Sequence, residues 1–315
     1  MSIEDQFIAE PPSDAAVMGE APSANRVALA SPTYAPPPTG GCSTCGTSPR
    51  PMSQAQPPVQ AQTSVSVVGS VTCAFPSLSV EKEFAQLLGR KDFNGLTDRQ
   101  TMHSVLSRPE NRYLARRMCF LITPFGSGGS PAYVLMPEGQ HDIDLLTDTL
   151  KRPASTAEFD VVKGQLVGIA PPTLCNAQQL PILSFFQLYS FRVEEFLNAL
   201  PRPENMPEGE FKAACDELFH RALRMASNAS GPMLGLSYAI LSYAGFYRLV
   251  AEKYKADYSL ANLEVRTSRV VAGSADIWLK FVERKTGFTE TYCLTVNTRG
   301  PFQFLEEPLH PCFGP

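Results

Sequence analysis

The composition of this 315-residue chain breaks sharply near residue 62, and that break limits which part of it can fold. Residues 1–62 hold 11 of the 28 prolines, are filled out with Ala, Ser, Thr and Gln, and show no hydrophobic period. Such a segment cannot bury enough apolar area to offset the entropy of ordering it. It is therefore expected to be a disordered tether, extended where its prolines cluster. The globular domain is expected over residues 63–315. Hydrophobic residues at 43% and charged residues at 18% suit a folded core. The net charge is −4, and Lys and Arg form no cluster, so nucleic acid and anionic membrane surfaces are not expected partners. No apolar run approaches the roughly 20 residues of a membrane helix. The acidic start Met1–Gln6 lacks the basic and apolar regions of a secretory signal. A cytoplasmic location follows as the expectation, with the eight cysteines as reduced thiols.

Periodicity outlines the domain. Residues 64–75 alternate and are rich in β-branched types, which predicts a strand. A helix over about 79–89 follows, with Ser79 as its cap and Gly89 as its stop. Thr97-Asp98-Arg99-Gln100 has the capping-box pattern that opens a second helix, and Pro109 is read as starting another that runs to about Met118. Cys119–Thr123 and Tyr133–Met136 read as strands around the Gly-rich turn Gly126–Ser130. That turn resembles a phosphate cradle only loosely, since no Lys-Ser/Thr continuation follows it. Residues 141–150 read as a helix and Phe159–Ile169 as a strand pair or one long strand. Helices are predicted over about 183–200, 208–228 and 233–255. In the first of these, Phe185, Leu188, Phe196 and Leu200 fall near helical spacing. Leu263–Val271, Asp276–Glu283 and Thr289–Asn297 read as strands, the last two joined by a tight turn at Lys285-Thr286-Gly287. The tail with His310 and Cys312 reads as free. No internal repeat is visible. The fold class is α+β: a single globular domain with a mainly antiparallel sheet and a helical middle.

Several blocks occur in a telling order. They are Phe75–Phe84, Gly95–Gln100, Leu106–Arg116, Ile169–Pro172 with Cys175-Asn176, Leu188–Phe191, Pro201–Glu204, Asn262–Arg266 and Gly287–Glu290. Together they resemble the C-terminal domain of the PatA/PatG cyanobactin-maturation proteins, over about residues 65–305. The Pro-rich lead with Cys42 and Cys45 is similar to the linkers that precede this domain. The resemblance implies a stand-alone copy of the domain without the subtilisin-like protease, so the macrocyclase activity is not carried over. It also implies an accessory role in the maturation of ribosomally made peptides. The implied partners are a precursor peptide, or the pathway's protease or modifying enzyme, with a homodimer as a further partner. The tail Glu306–Phe313 departs from the family's endings.

No cofactor or metal is expected. Cys42 and Cys45 have the C-x-x-C spacing of half a zinc site but no further ligands at the usual spacing, and His310 with Cys312 would supply two ligands only. Arg99 and His103 share a helix face, and Asn111 and Arg112 open the next segment. These four are candidates for gripping a peptide carboxylate or backbone, against the plainer reading of a network tying two helices. Cys175 and Asn176, on a loop after Pro171-Pro172, complete the candidate peptide-binding set. A binding module is the leading reading. A peptide-modifying enzyme using Cys175 or His103 and a dimeric structural protein are the alternatives.

Overall fold

The computed structural model describes residues 63–89, 96–153, 157–204 and 206–313. The tether expected over residues 1–62 and the Cys42/Cys45 pair lie outside the described residues. Among those residues, eight α-helices and ten strands form one unit over Pro58–Pro315, and the strands make two sheets.

The first sheet is built from β1 (Ser64–Ala74), β2 (Cys119–Pro124), β3 (Tyr133–Met136), β4 (Glu158–Ile169), β5 (Pro181–Arg192) and β6 (Asn228–Ser230), in the order β2-β3-β5-β4-β1-β6. All its pairings are antiparallel except β3 with β5. β1 pairs with β4 through Ser64–Gly69 and then with β2 through Gly69–Ala74, so five strands close into a ring. Gly69 is the crossing point. A Cβ there would lie 2.0 Å from the Thr123 carbonyl oxygen, closer than any side chain tolerates.

One apolar cluster draws on all five ring strands: Val67 and Val71, Phe120 and Ile122, Leu135, Val162, Leu183 and Phe185. Four helices cover it: α1 (Leu78–Leu88), α2 (Asp98–Leu106), α3 (Arg112–Ala115) and α4 (Gln140–Thr149). On the opposite face, Val68, Phe159 and Val161 pack against α5 (Val193–Ala199), α6 (Glu208–Ala226), α7 (Met233–Ser242) and α8 (Ala244–Lys255). The same cluster includes the inner face of the second sheet, which has the order β10-β9-β8-β7: β7 (Tyr258–Thr267), β8 (Ser274–Glu283), β9 (Thr289–Asn297) and β10 (Phe304–Pro311).

Many of the expected elements are found. β1, β2, β3, α4, β4, α6 and the hairpin of β8 with β9 stand close to their predicted bounds, and Gly287 turns that hairpin at φ 74°. The Thr97–Gln100 box is complete: the Thr97 hydroxyl accepts from the Gln100 amide, and the Gln100 side chain accepts from the Thr97 amide. Around α1 the cap position falls to Ser77, whose hydroxyl bonds Ser79.

Other expectations are corrected. Residues 183–200 are mostly strand, not helix. β5 is flanked by β3 and β4, and its apolar residues fall on both faces, with Leu183 and Phe185 buried and Phe186 exposed, so its period of two is masked. The 233–255 helix divides at Tyr243, which takes an extended conformation (φ −113°, ψ 94°) and bonds the Leu309 amide through its hydroxyl. After Pro109 only one 3-10 turn and the four-residue α3 form. The tail is not free: it is β10, paired with β9, with Leu305 and Leu309 packed on the core. β10 tolerates Pro308 because it is an edge strand and the proline falls at an irregularity in the register. The cysteines are not all reduced, since Cys119 and Cys175 form a disulfide. No described helix is long and apolar enough to cross a membrane.

Candidate functional site

The end of β1, the outer faces of α1 and α2, and the turn at residues 175–178 enclose a cavity of about 580 Å³. Its apolar wall is Phe75, Phe84, Leu88 and Met102, with the Phe75 and Phe84 ring centroids 5.2 Å apart. Its polar side chains are Glu81, Asp98, Thr101, Asn176 and Gln178, and no Lys or Arg lines it among the described residues. Glu81 and Asp98 occupy the first turns of α1 and α2, where a carboxylate also answers the positive end of the helix.

The turn beside this cavity is held in an unusual conformation. Cys175, Asn176 and Ala177 all have left-handed backbones, with φ of 55°, 54° and 65°. A non-glycine residue there costs on the order of 1–2 kcal/mol, and Asn is the type that bears it best. The surroundings hold the turn in place. Cys175 is bonded to Cys119 of β2, the Leu174 amide donates to the Pro171 carbonyl, the Gln178 amide to the Cys175 carbonyl and the Ala170 amide to the Leu180 carbonyl. The result is a rigid lip that presents the exposed Asn176 at the cavity. Cys175 itself is buried and cannot act as a nucleophile while its bond to Cys119 stands. Cys73, also on the lining, is a thiol that burial pushes far above its ordinary range, so it stays neutral.

Of the six residues singled out from the sequence, Cys175 and Asn176 line this cavity, and the other four lie elsewhere. Arg99 enters the ring and donates to Asp160 at 2.7 Å and to the Ser70 hydroxyl at 3.2 Å. Asp160 also accepts from the Val71 amide at 2.7 Å and from the Ser190 hydroxyl at 2.5 Å. The Val71 amide needs this acceptor because β1 has left β4 by that point for β2. Asn111 is buried and its side-chain amide donates to the Val105 carbonyl, one of the orphan acceptors at the end of α2. His103 lies 4.0 Å from Asp148, and Arg112 lies 3.8 Å from Asp144, so both face α4. Burial lowers the His103 pKa below its ordinary 6.5, Asp148 opposes that shift, and Lys151 adds to it. Sequence reasoning passed over Phe84, Asp98 and Met102 as lining residues. Phe84 and Met102 have the apolar character of core positions and Asp98 that of a capping-box residue, and only the packing of α1 beside α2 brings the three to one cavity.

A second cavity of about 640 Å³ lies between α5 and α6, with Phe125, Val193 and Leu197 as its apolar part and Glu194, Lys212, Asp216 and His220 as its charged part. Among the described residues, no group of three or more His, Cys, Asp and Glu side chains is arranged to hold a metal ion.

Comparison with known proteins places this architecture. A family model described as PatG Domain matches residues 64–186, the stretch from β1 into β5 that forms the ring, its four covering helices and the 175–178 turn. No curated protein matches the chain. A solved structure described as "PatG Domain of Unknown Function" has the same fold, with a TM-score of 0.63 at 15% identity over 79% of this chain and 98% of its own. Residues 64–186 are therefore a match to the PatG domain family, and the resemblance read from the sequence is borne out there.

Proposed function

We propose that this chain is an accessory binding protein in peptide maturation of the cyanobactin type. In this reading the cavity between α1, α2 and the 175–178 turn takes a segment of the precursor peptide. The PatG-domain match supports a place in such maturation. The observation that carries the binding role is the cavity itself, all of whose lining residues fall within the matched stretch. Its apolar wall suits one large hydrophobic side chain, and its two carboxylates suit a neighbouring basic group. Its backbone lip is rigid, so little ordering entropy is spent on the protein side when a peptide binds.

The test is a titration of fluorescently labelled precursor peptide with the full chain, followed by anisotropy. Saturable binding is expected, weakened about tenfold or more by Met102→Glu, which buries a charge against the apolar anchor. Glu81→Lys is expected to weaken a peptide with a basic residue and to spare one in which that residue is neutral. No association with the precursor, or association untouched by either substitution, overturns the proposal.

A further inference from the structure

The outer face of the second sheet carries a row of side chains in cross-strand register: Glu264 on β7, Trp278 on β8, Cys293 on β9 and His310 on β10. Cys312, just beyond β10, pairs its amide with the Thr291 carbonyl and comes onto the same face two residues from His310. The Cys293 sulfur lies 3.2 Å from His310 Nε2, and the Cys312 thiol is near enough to hold the Cys293 thiol lower than burial alone would. His310 Nδ1 lies 2.9 Å from the Pro308 carbonyl oxygen, which can only accept. Nδ1 therefore carries the ring proton, and the neutral ring turns a bare Nε2 to the Cys293 thiol. A base, a nucleophile and a second thiol thus stand in line at the chain's last described strand.

The geometry points to a thiol–disulfide exchange site in which Cys293 and Cys312 are oxidised reversibly by a low-molecular-weight disulfide, with His310 as the base. Nε2 takes the Cys293 proton, and the Cys293 sulfur attacks one sulfur of the incoming disulfide RSSR. A Cys293–SR bond forms, the S–S bond of RSSR breaks, and the departing thiolate takes a proton to become RSH. The Cys312 sulfur then loses its proton and attacks the Cys293 sulfur, which forms the Cys293–Cys312 bond and releases a second RSH. Two protein thiols are oxidised and one external disulfide is reduced to two thiols. A cavity of about 360 Å³ on this face is lined by Cys312, Trp278 and Lys280 and lies beside the pair on the Cys312 side, without Cys293 in its lining.

The electrostatics leave little thiolate at either sulfur without a base, and a base is what His310 supplies. Burial raises both thiols, Cys312 to about 12; the neighbouring Cys312 thiol offsets part of the rise at Cys293, and the Asp276 charge adds to both. Closure would tie the edge strand β10 covalently to β9, where its register is interrupted twice.

The full chain, mildly reduced and then incubated with oxidised glutathione, is blocked with N-ethylmaleimide, digested without reductant and read by mass spectrometry. A peptide joining Cys293 to Cys312 is expected, with the buried Cys215 still alkylated only after unfolding. His310→Gln should slow the joining about tenfold or more near neutral pH, with the gap narrowing as alkali deprotonates the thiol directly. A glutathione adduct that never resolves into the Cys293–Cys312 bond overturns the inference. So does an unchanged rate in His310→Gln, and so does stoichiometric zinc that Cys293→Ser releases.

Discussion

The ring sheet and the four-stranded sheet share a helical layer but treat their faces in opposite ways. The ring has helices on one side and the α5–α8 layer on part of the other, and its β2–β3 end is covered by the 170–182 segment through Ala170, Cys175, Leu180 and Ile182. Asp160 there accepts from the Arg99 guanidinium, the Val71 amide and the Ser190 hydroxyl, while Arg99 Nε is left without a partner among the described residues. In the four-stranded sheet, Ile277, Leu279, Leu294 and Val296 fill the inner face, while Asn262, Lys280 and Glu307 stand exposed on the outer one. That alternation of apolar and polar is what an antiparallel sheet covered on one side requires. The cysteines follow this division in part. Two cysteines of the covered sheet's layer, Cys119 and Cys175, are bonded and buried, Cys73 on β1 stays a free thiol, and Cys293 and Cys312 on the open face are free and half-buried. Covering a face thus makes structural ties of Asp160 with Arg99 and of Cys119 with Cys175, and the open face leaves Cys293 and Cys312 within reach of reagents.

The largest expected effect comes from breaking the tie inside the ring. Asp160→Ala strands the Arg99 guanidinium and the Val71 amide without their acceptor, and removing one partner of a buried pair costs about 3–5 kcal/mol. Denaturant unfolding should show that loss, and a change below about 1 kcal/mol would mean that water already reaches the pair. Next in size is the Cys119–Cys175 bond. It closes a loop of 56 residues and also anchors the left-handed turn, so the double Cys→Ala variant should lose about 2–4 kcal/mol. The same variant should weaken peptide binding at the cavity, because the lip that carries Asn176 is then free to relax. Full affinity in that variant would separate the disulfide from the site. On the open sheet, Thr289→Ala on the exposed face should cost no more than about 1 kcal/mol, and a larger loss would show that this face is covered in solution.

The same division explains what the sequence made legible. Elements governed by local chemistry read directly: the alternation of β1, the Thr97–Gln100 box, the turn at Gly287. Elements governed by their neighbours did not. Phe185 and Leu188 fall at helical spacing, and nothing local reveals that β3 and β4 flank them. Pro308 argues against a strand everywhere except at an edge, and only the pairing with β9 makes residues 304–311 an edge. Asp160 and Arg99 are 61 residues apart, and Cys119 and Cys175 are 56 apart, so no spacing rule joins them. At the site, the loop after Pro171-Pro172 was legible as a place for Cys175 and Asn176. Arg99 and His103, expected to share a helix face, meet Asp160 and α4 rather than the cavity.

The smallest effect tests whether His103 belongs to the covered side of this contrast. Its folded pKa is lowered, first by burial, below the 6.5 of the unfolded chain. The unfolded state therefore binds the proton more readily. The neutral ring's contribution is whole above pH 6.5, declines as pH falls from 6.5 through the lower folded value, and levels off below it. Asp148, 4.0 Å away and exposed, limits the decline by favouring the charged ring. Urea midpoints measured from pH 7.5 down to 5 should fall more steeply for the parent chain than for His103→Gln, which does not titrate there. Carboxylates add a slope to both proteins, so the difference between the two curves carries the result. Parallel curves would place His103 in water, and a parent chain that gains stability on acidification would mean that the Asp148 contact outweighs burial.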